Sequence, residues 1–191
     1  MKAKYLLIGL CCISSSVFAS WKLNNDESRL SFISIKSTDI AEVHRFGKLE
    51  GSINDAGKAV LEIDLGSVAT NIDIRDQRMK KELFQTEHFP KATYSVQLDP
   101  ALIKQTAPGN TITTNLKGTL ELHNVSKEVS ADVVINRVSD NQVVVSTLQP
   151  LVINAADFAL NDGVKKLQEI AKLPSISIAV PVSFNLTFET E

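Results

Sequence analysis

"SISIAVPVSFNLTFE", residues 175–189, decides the fold class. Ile176, Ile178, Val180, Val182, Phe184, Leu186 and Phe188 share one face. Ser177, Ala179, Pro181, Ser183, Asn185 and Thr187 share the other. A period of two marks a half-buried β-strand, because successive side chains leave the backbone on opposite faces. Pro181 has no N–H for a ladder, so it belongs at a bulge or an unpaired position.

The same alternation recurs upstream. It runs through Leu61, Ile63 and Leu65, and through Ala92, Tyr94, Val96 and Leu98. Ile112, Thr114, Leu116, Leu120 and Leu122 form another row, with Gly118 marking a bend, and Val129, Ala131, Val133 and Ile135 continue it after the turn "HNVSKE". Shorter strands are expected at 30–36, 43–53 and 143–153. About eight strands with turn-sized gaps predict an all-β sandwich or barrel. A sheet with one apolar face must bury it, and closure also removes exposed edges.

Two segments break the pattern. "TNIDIRDQRMKKELFQTEHFPKATY", residues 70–94, is dense in charge and lacks strand alternation. Asp73 is placed to cap a helix with Asp76 at its third position. Ile72, Met79 and Leu83 fall near one face, and Asp76–Lys80 and Arg78–Glu82 have the spacing of supportive pairs on the wet side. "NDGVKKLQEIAKLP", residues 161–174, carries an apolar stripe of Val164, Leu167 and Ile170 or Ala171. Both helices are amphipathic and should lie on the body of the protein.

The first nineteen residues have the form of a secretory leader: a basic start at Lys2 and Lys4, an apolar run from Tyr5 to Ile13, and a small-residue end at Ala19. The expected organisation is a signal peptide over residues 1–19 and a single domain over 20–191, placed in the periplasm or secreted. Cys11 and Cys12 leave with the leader, so the mature chain has no disulfide and depends on its core. That chain holds 18 basic against 22 acidic residues, a net charge of −4, which gives no support for nucleic-acid binding. No second long apolar run argues for a stable membrane span.

Several stretches together resemble the YceI family of lipocalin-like bacterial envelope proteins. They are "WKLNNDESRLSFISIKS", "FGKLEGSI", "AVLEIDLGSVATNIDIRDQRMKKELFQTEHFPKATYSV", "LKGTLELHNVSKEVSADVVI" and "INAADFAL". The pair Arg75-Asp76 and the ending Phe89-Pro90-x-Ala92-Thr93 are the most family-like residues. The resemblance covers nearly the whole mature chain and departs in a shorter first hairpin, "STDIAEVHRFGKLEG". It implies a lipocalin-like antiparallel eight-stranded barrel whose long apolar interior binds a polyisoprenoid or fatty amphiphile. The 70–94 insertion then becomes a crossover helix between two barrel strands, with Met79 and Leu83 packed inward.

Candidate wall residues are Phe32, Ile63, Met79, Tyr94, Val96, Leu116, Leu120, Phe158, Ile178 and Phe184. Each taken singly fits an ordinary core better than a ligand wall, because small barrels either fill their interior or hold a ligand there. His44, Arg45, Arg75 and Arg78 are candidates for a head group, since arginine suits bidentate contact with carboxylate or phosphate. Arg78 also fits a solvated helix face, and Arg75 an ion pair.

His44, His88 and His123 come from separate regions without metal-ligand spacing, so no metal and no cofactor are expected. The mature chain offers no thiol, no nucleophile-elbow serine and no recognisable carboxylate pair, and catalysis is not expected. The competing expectation is a solidly packed barrel that acts as an envelope stress or scaffold protein through its outer surface. A homodimer is compatible with either.

Overall fold

The computed structural model describes residues 20–104 and 106–190. The leader expected over residues 1–19, with Cys11 and Cys12, falls outside them. Eleven strands form one sheet: β1 (Trp21–Lys36), β2 (Ile40–Phe46), β3 (Leu49–Ile53), β4 (Lys58–Asp64), β5 (Val68–Ala69), β6 (Lys91–Gln97), β7 (Thr111–Leu122), β8 (Val125–Arg137), β9 (Gln142–Thr147), β10 (Leu151–Asn154) and β11 (Ala179–Thr190). Pairing of β11 with β1 closes the sheet on itself.

The ring has eight members because two of them are broken strands. β2 and β3 pair in turn with the two halves of β1. β9 and β10 do the same along β11. The segments expected as single strands at 43–53 and 143–153 are these two broken members, since inward alternation resumes after each break.

Side chains repair the backbone at each interruption. β1 bulges between Asn24 and Arg29 opposite β11. There the Asn25 carboxamide accepts from Leu49 N–H (2.7 Å) beside the gap between β2 and β3. Ser28 Oγ donates to Asn24 O (2.7 Å) and accepts from Thr187 N–H (3.0 Å). Thr147 Oγ1 accepts from Phe184 N–H (3.3 Å) at the other break. A bulge leaves ladder groups unpaired, and these short polar side chains satisfy them. The bulge also explains why β1 begins at Trp21 rather than at the expected Leu30: residues 25–28 interrupt its alternation.

Pro181 sits opposite Val152 of β10, while the ladder to β1 ends one residue later at Val182. Its missing donor therefore falls where β11 has a single neighbour.

Helical segments gather at one end, beyond the tip of the β1–β2 hairpin. α1 (Asp73–Arg78) runs directly into a π-helical turn, Met79–Phe84, and α3 (Asn161–Ala171) packs across it. The approach is close. A Cβ on Gly163 would lie 2.8 Å from both Glu82 O and Leu83 Cα. A further short helix, α2 (Ala101–Lys104), lies in the β6–β7 connection.

The start of α1 differs from expectation. Its N-cap is Ile72, with no side-chain cap. Asp76 reaches back instead, accepting from Thr70 N–H (2.8 Å) and Thr70 Oγ1–H (2.5 Å). The expected Asp76–Lys80 and Arg78–Glu82 pairs are not formed among the described residues. Asp76 is committed to Thr70, and the helix changes to π geometry after Arg78, which removes the i,i+4 spacing.

Candidate functional site

Inward alternation of eight ring members produces an apolar interior that the side chains do not fill. A cavity of about 530 Å³ runs along the barrel. From β1, β4, β6 and β7 come Phe32, Ile63, Tyr94, Val96, Leu116 and Leu120; Phe184 comes from β11 and Met79 from the π turn. These eight expected wall residues all border the cavity. Leu83, Phe84, Val164, Leu167 and Ile170 close its helical end. Phe32, Phe46 and Phe84 form an aromatic row, with ring centroids 5.3 and 5.8 Å apart.

Three expected site residues lie elsewhere. Ile178 is 37% exposed, because β11 starts at Ala179 and the bend before it turns Ser177, not Ile178, toward the cavity. Phe158 is buried to 2% beside the interior, at the end of a 3-10 turn whose first residue, Ala155, faces the cavity in its place. Arg45 points outward and is exposed, since its strand neighbour His44 points inward.

Tyr94 makes its hydroxyl bonds within the wall. It donates to Leu116 O (3.0 Å) and Val129 O (3.2 Å), where β6 and β7 diverge after the Ser95–Thr119 pair. Burial raises its pKa above the ordinary tyrosine value. The phenol therefore substitutes for missing ladder bonds, and the ring face remains for apolar contact.

One end of the cavity is polar. Phe32, Ser34 and Lys36 lie on the inner face of β1, and Glu42, His44 and Phe46 on that of β2. Glu42 Oε2 receives both Lys36 Nζ (2.6 Å) and Arg75 Nη1 (2.9 Å). Arg75 Nη2 also donates to Thr70 O (2.7 Å), tying α1 to the barrel rim. The hydrogen bond from Lys36 is the largest influence holding the Glu42 carboxyl below its usual pKa. Arg78 borders the cavity from the exposed side of α1 and has no ion-pair partner among the described residues.

His44 is only 3% exposed. Its Nε2 lies 2.8 Å from Ser34 Oγ, and its ring meets Phe32 edge-on at 5.3 Å. Burial, reinforced by the Arg75 charge, keeps its pKa below the ordinary histidine value. Its Nδ1 and the Nε of Arg75 are buried without a hydrogen-bond partner.

The two exposed members of the wall, Arg78 and Ala171, both belong to this helical end. At the other end Trp21, Ile53, Leu98, Ile135 and Phe188 are at most 9% exposed. The cavity thus has a polar mouth and an apolar far end.

Ser34, Lys36 and Glu42 were not among the expected site residues. The signal was present in the alternation: Ser34 and Lys36 share the face of Phe32, and Glu42 shares that of His44. His88 and His123 are elsewhere, flanking Phe89 at ring distances of 6.4 and 4.3 Å. Among the described residues, no group of three or more His, Cys, Asp or Glu side chains is placed to hold a metal. No helix among them is long and apolar enough to cross a membrane.

Residues 21–188 match the profile of the YceI-like domain. The chain belongs to the YceI-like family. Among solved structures, this YceI-like chain is similar to a polyisoprenoid binding domain from Saccharophagus degradans implicated in plant cell wall breakdown. The identity is 38% and the TM-score 0.87, over 90% of this chain and 98% of that one. It also shares its fold with Burkholderia cenocepacia BcnA, at 19% identity and a TM-score of 0.65, over 86% of this chain and 98% of that one. Comparison with curated protein sequences finds no match. The expected lipocalin-like eight-stranded antiparallel barrel is the fold that this YceI-like protein has, with the extra short strand β5 beside β2.

Proposed function

We propose that this YceI-like protein binds, carries or sequesters a long-chain apolar ligand, a polyisoprenoid or fatty amphiphile, inside its barrel. The observation that carries this is the unfilled, aliphatic and aromatic cavity running from a polar mouth to an apolar far end. The polyisoprenoid-binding description of the 38%-identical Saccharophagus structure supports the same class. Phe32, Ile63, Val96, Leu116, Leu120 and Phe184 would contact the chain, with Met79 and the ring of Tyr94. The mouth residues Arg75 and Arg78, with His44, would receive the polar head.

Each methylene withdrawn from water contributes about 0.8 kcal/mol, so a long chain needs few polar contacts to bind tightly. The action is binding rather than catalysis. The setting is the bacterial envelope, after removal of residues 1–19.

Native mass spectrometry of protein purified from a bacterial envelope, followed by organic extraction, tests the proposal. A discrete added mass that extracts as one long-chain species is expected. A clean ligand-free mass, with no uptake of prenyl or fatty probes, would transfer the function to the outer surface, as in a scaffold or stress-response protein.

A further inference from the structure

Polar groups at the mouth differ in what remains available to a ligand. The Lys36 and Arg75 cations converge on Glu42, and Arg75 spends its Nη2 on Thr70 O, with only its Nε left without a partner. Arg78 is exposed at the rim. His44 lies one inward position deeper than Glu42 along β2, about 7 Å farther into the barrel. Its ring is almost wholly buried, it borders the cavity, and its Nδ1 lacks any partner. A buried polar atom without a partner is costly and uncommon in native structures, and here the space beside the ring is the binding cavity itself.

We propose that the Ser34–His44 pair is a hydrogen-bonding station for an uncharged oxygen of the bound amphiphile, of the alcohol or carbonyl class. The assignment rests on the lipid-binding function proposed above and narrows its ligand. Ser34 fixes Nε2, which leaves Nδ1 as either a donor or an acceptor, according to tautomer. A hydroxyl satisfies both cases, and a carbonyl satisfies the first. A neutral imidazole suits this depth, where burial and the nearby Arg75 charge both oppose protonation. A phosphate beside it would meet no cation on His44 itself, and the nearby Arg75 charge is already paired with Glu42. An anion's natural place is the outer rim at Arg78, which would draw the head away from His44.

Displacement of an apolar fluorescent probe at neutral pH, using oleyl alcohol, oleyl phosphate and octadecene, separates these cases. The alcohol should bind about five- to tenfold tighter than the hydrocarbon, the worth of one hydrogen bond in a dry site. The same ratio should fall toward one in His44→Phe and in Ser34→Ala. In ¹⁵N-histidine-labelled wild-type protein, the alcohol but not the hydrocarbon should shift the His44 ring nitrogens, a readout that needs no substitution. A preference for the phosphate, or an alcohol-to-hydrocarbon ratio that survives both substitutions, would overturn the assignment while leaving lipid binding intact. Failure of every chain-bearing probe to enter would overturn both.

Discussion

Tyr94 lies directly over Gly118. A Cβ at residue 118 would come within 2.7 Å of Tyr94 Cζ and 2.5 Å of Ser95 O. The glycine sits in an unbroken β7–β8 ladder, opposite Val129, and its missing side chain makes room for the ring that spans the gap between β6 and β7. Gly118→Ala should therefore destabilise the barrel by about 1–3 kcal/mol, the usual cost of overpacking. Tyr94→Phe should cost about 1 kcal/mol, the worth of one net hydrogen bond. Urea unfolding of both variants checks the pair. A Gly118→Ala protein as stable as wild type would mean that the ring moves aside freely.

Blocking the cavity should abolish long-chain binding without unfolding the barrel. Leu116 is half-buried and borders the interior, so Leu116→Trp places bulk where the chain would lie. A loss of at least about tenfold in affinity for long-chain probes is expected, equivalent to about 1.4 kcal/mol. Circular dichroism should stay that of the wild type. Unchanged affinity would place the ligand outside the barrel.

At the mouth, Asp76 bonds both the N–H and the hydroxyl of Thr70. Asp76→Ala leaves the N–H of Thr70, only 3% exposed, without a partner and its hydroxyl with the long contact to Ile72 O (3.4 Å) alone, and should cost about 1–3 kcal/mol. Because Arg75 is held on Thr70 O, the loss should also loosen α1. Hydrogen exchange of residues 73–84 should accelerate more than exchange of β7 and β8; uniform acceleration would argue against a local role.

Stability should fall on acidification in two windows. The folded pKa of His44 is depressed below 6.5 and that of Glu42 below 4.5, so in each case the unfolded chain takes up its proton first. Stability from the neutral imidazole is complete above 6.5 and is lost as pH falls through the folded His44 value. That from the Glu42 carboxylate is complete above 4.5 and is lost lower still. His123 titrates in the same direction as His44, so His44→Phe should reduce rather than abolish the upper slope. Urea midpoints measured across pH settle this. An upper slope identical in His44→Phe would remove His44 from the account.

The contact of α3 with the π turn sets the closure of the helical end. Gly163→Ala would push a methyl against the backbone at Glu82 and Leu83, which cannot swing away as a side-chain tip can. The expected cost is about 1–3 kcal/mol, with faster ligand dissociation because the helices cover the mouth less tightly. Stopped-flow release of an apolar probe measures it; an unchanged release rate would show that α3 does not govern exit.

Most of the barrel was legible because period-two burial is written into the chain. Seven of the ten expected wall residues face the cavity for that reason, and Met79 faces it from the helical stripe it shares with Leu83. Failures occurred where backbone direction changes without a change in residue type. Ile178 continues the row of Ile176 and Val180 in sequence, but a bend at its own position turns it out. Phe158 sits in a 3-10 turn, where strand parity has no meaning.

Of the head-group candidates His44 and Arg45, only one can reach the interior, because a strand presents only one of two neighbours to its inner face. Asp73 does not cap α1, because the first turn is anchored instead by Thr70, an ordinary polar residue before the helix, which captures Asp76 from outside it. A carboxylate such as Glu42 is unfavourable on an inner face until it is paired, and one of its two partners, Arg75, comes from 33 residues away.

The cavity's single polar mouth has a consequence for traffic. A guest that enters tail-first, with its head left at Ser34 and His44, must back out along the same path. With its far end lined by buried side chains, such a barrel would work as a vial rather than a pipe, loading and releasing cargo at one end. Any acceptor must meet the end where α1 and α3 lie, and the head group is the first part of the cargo that it touches.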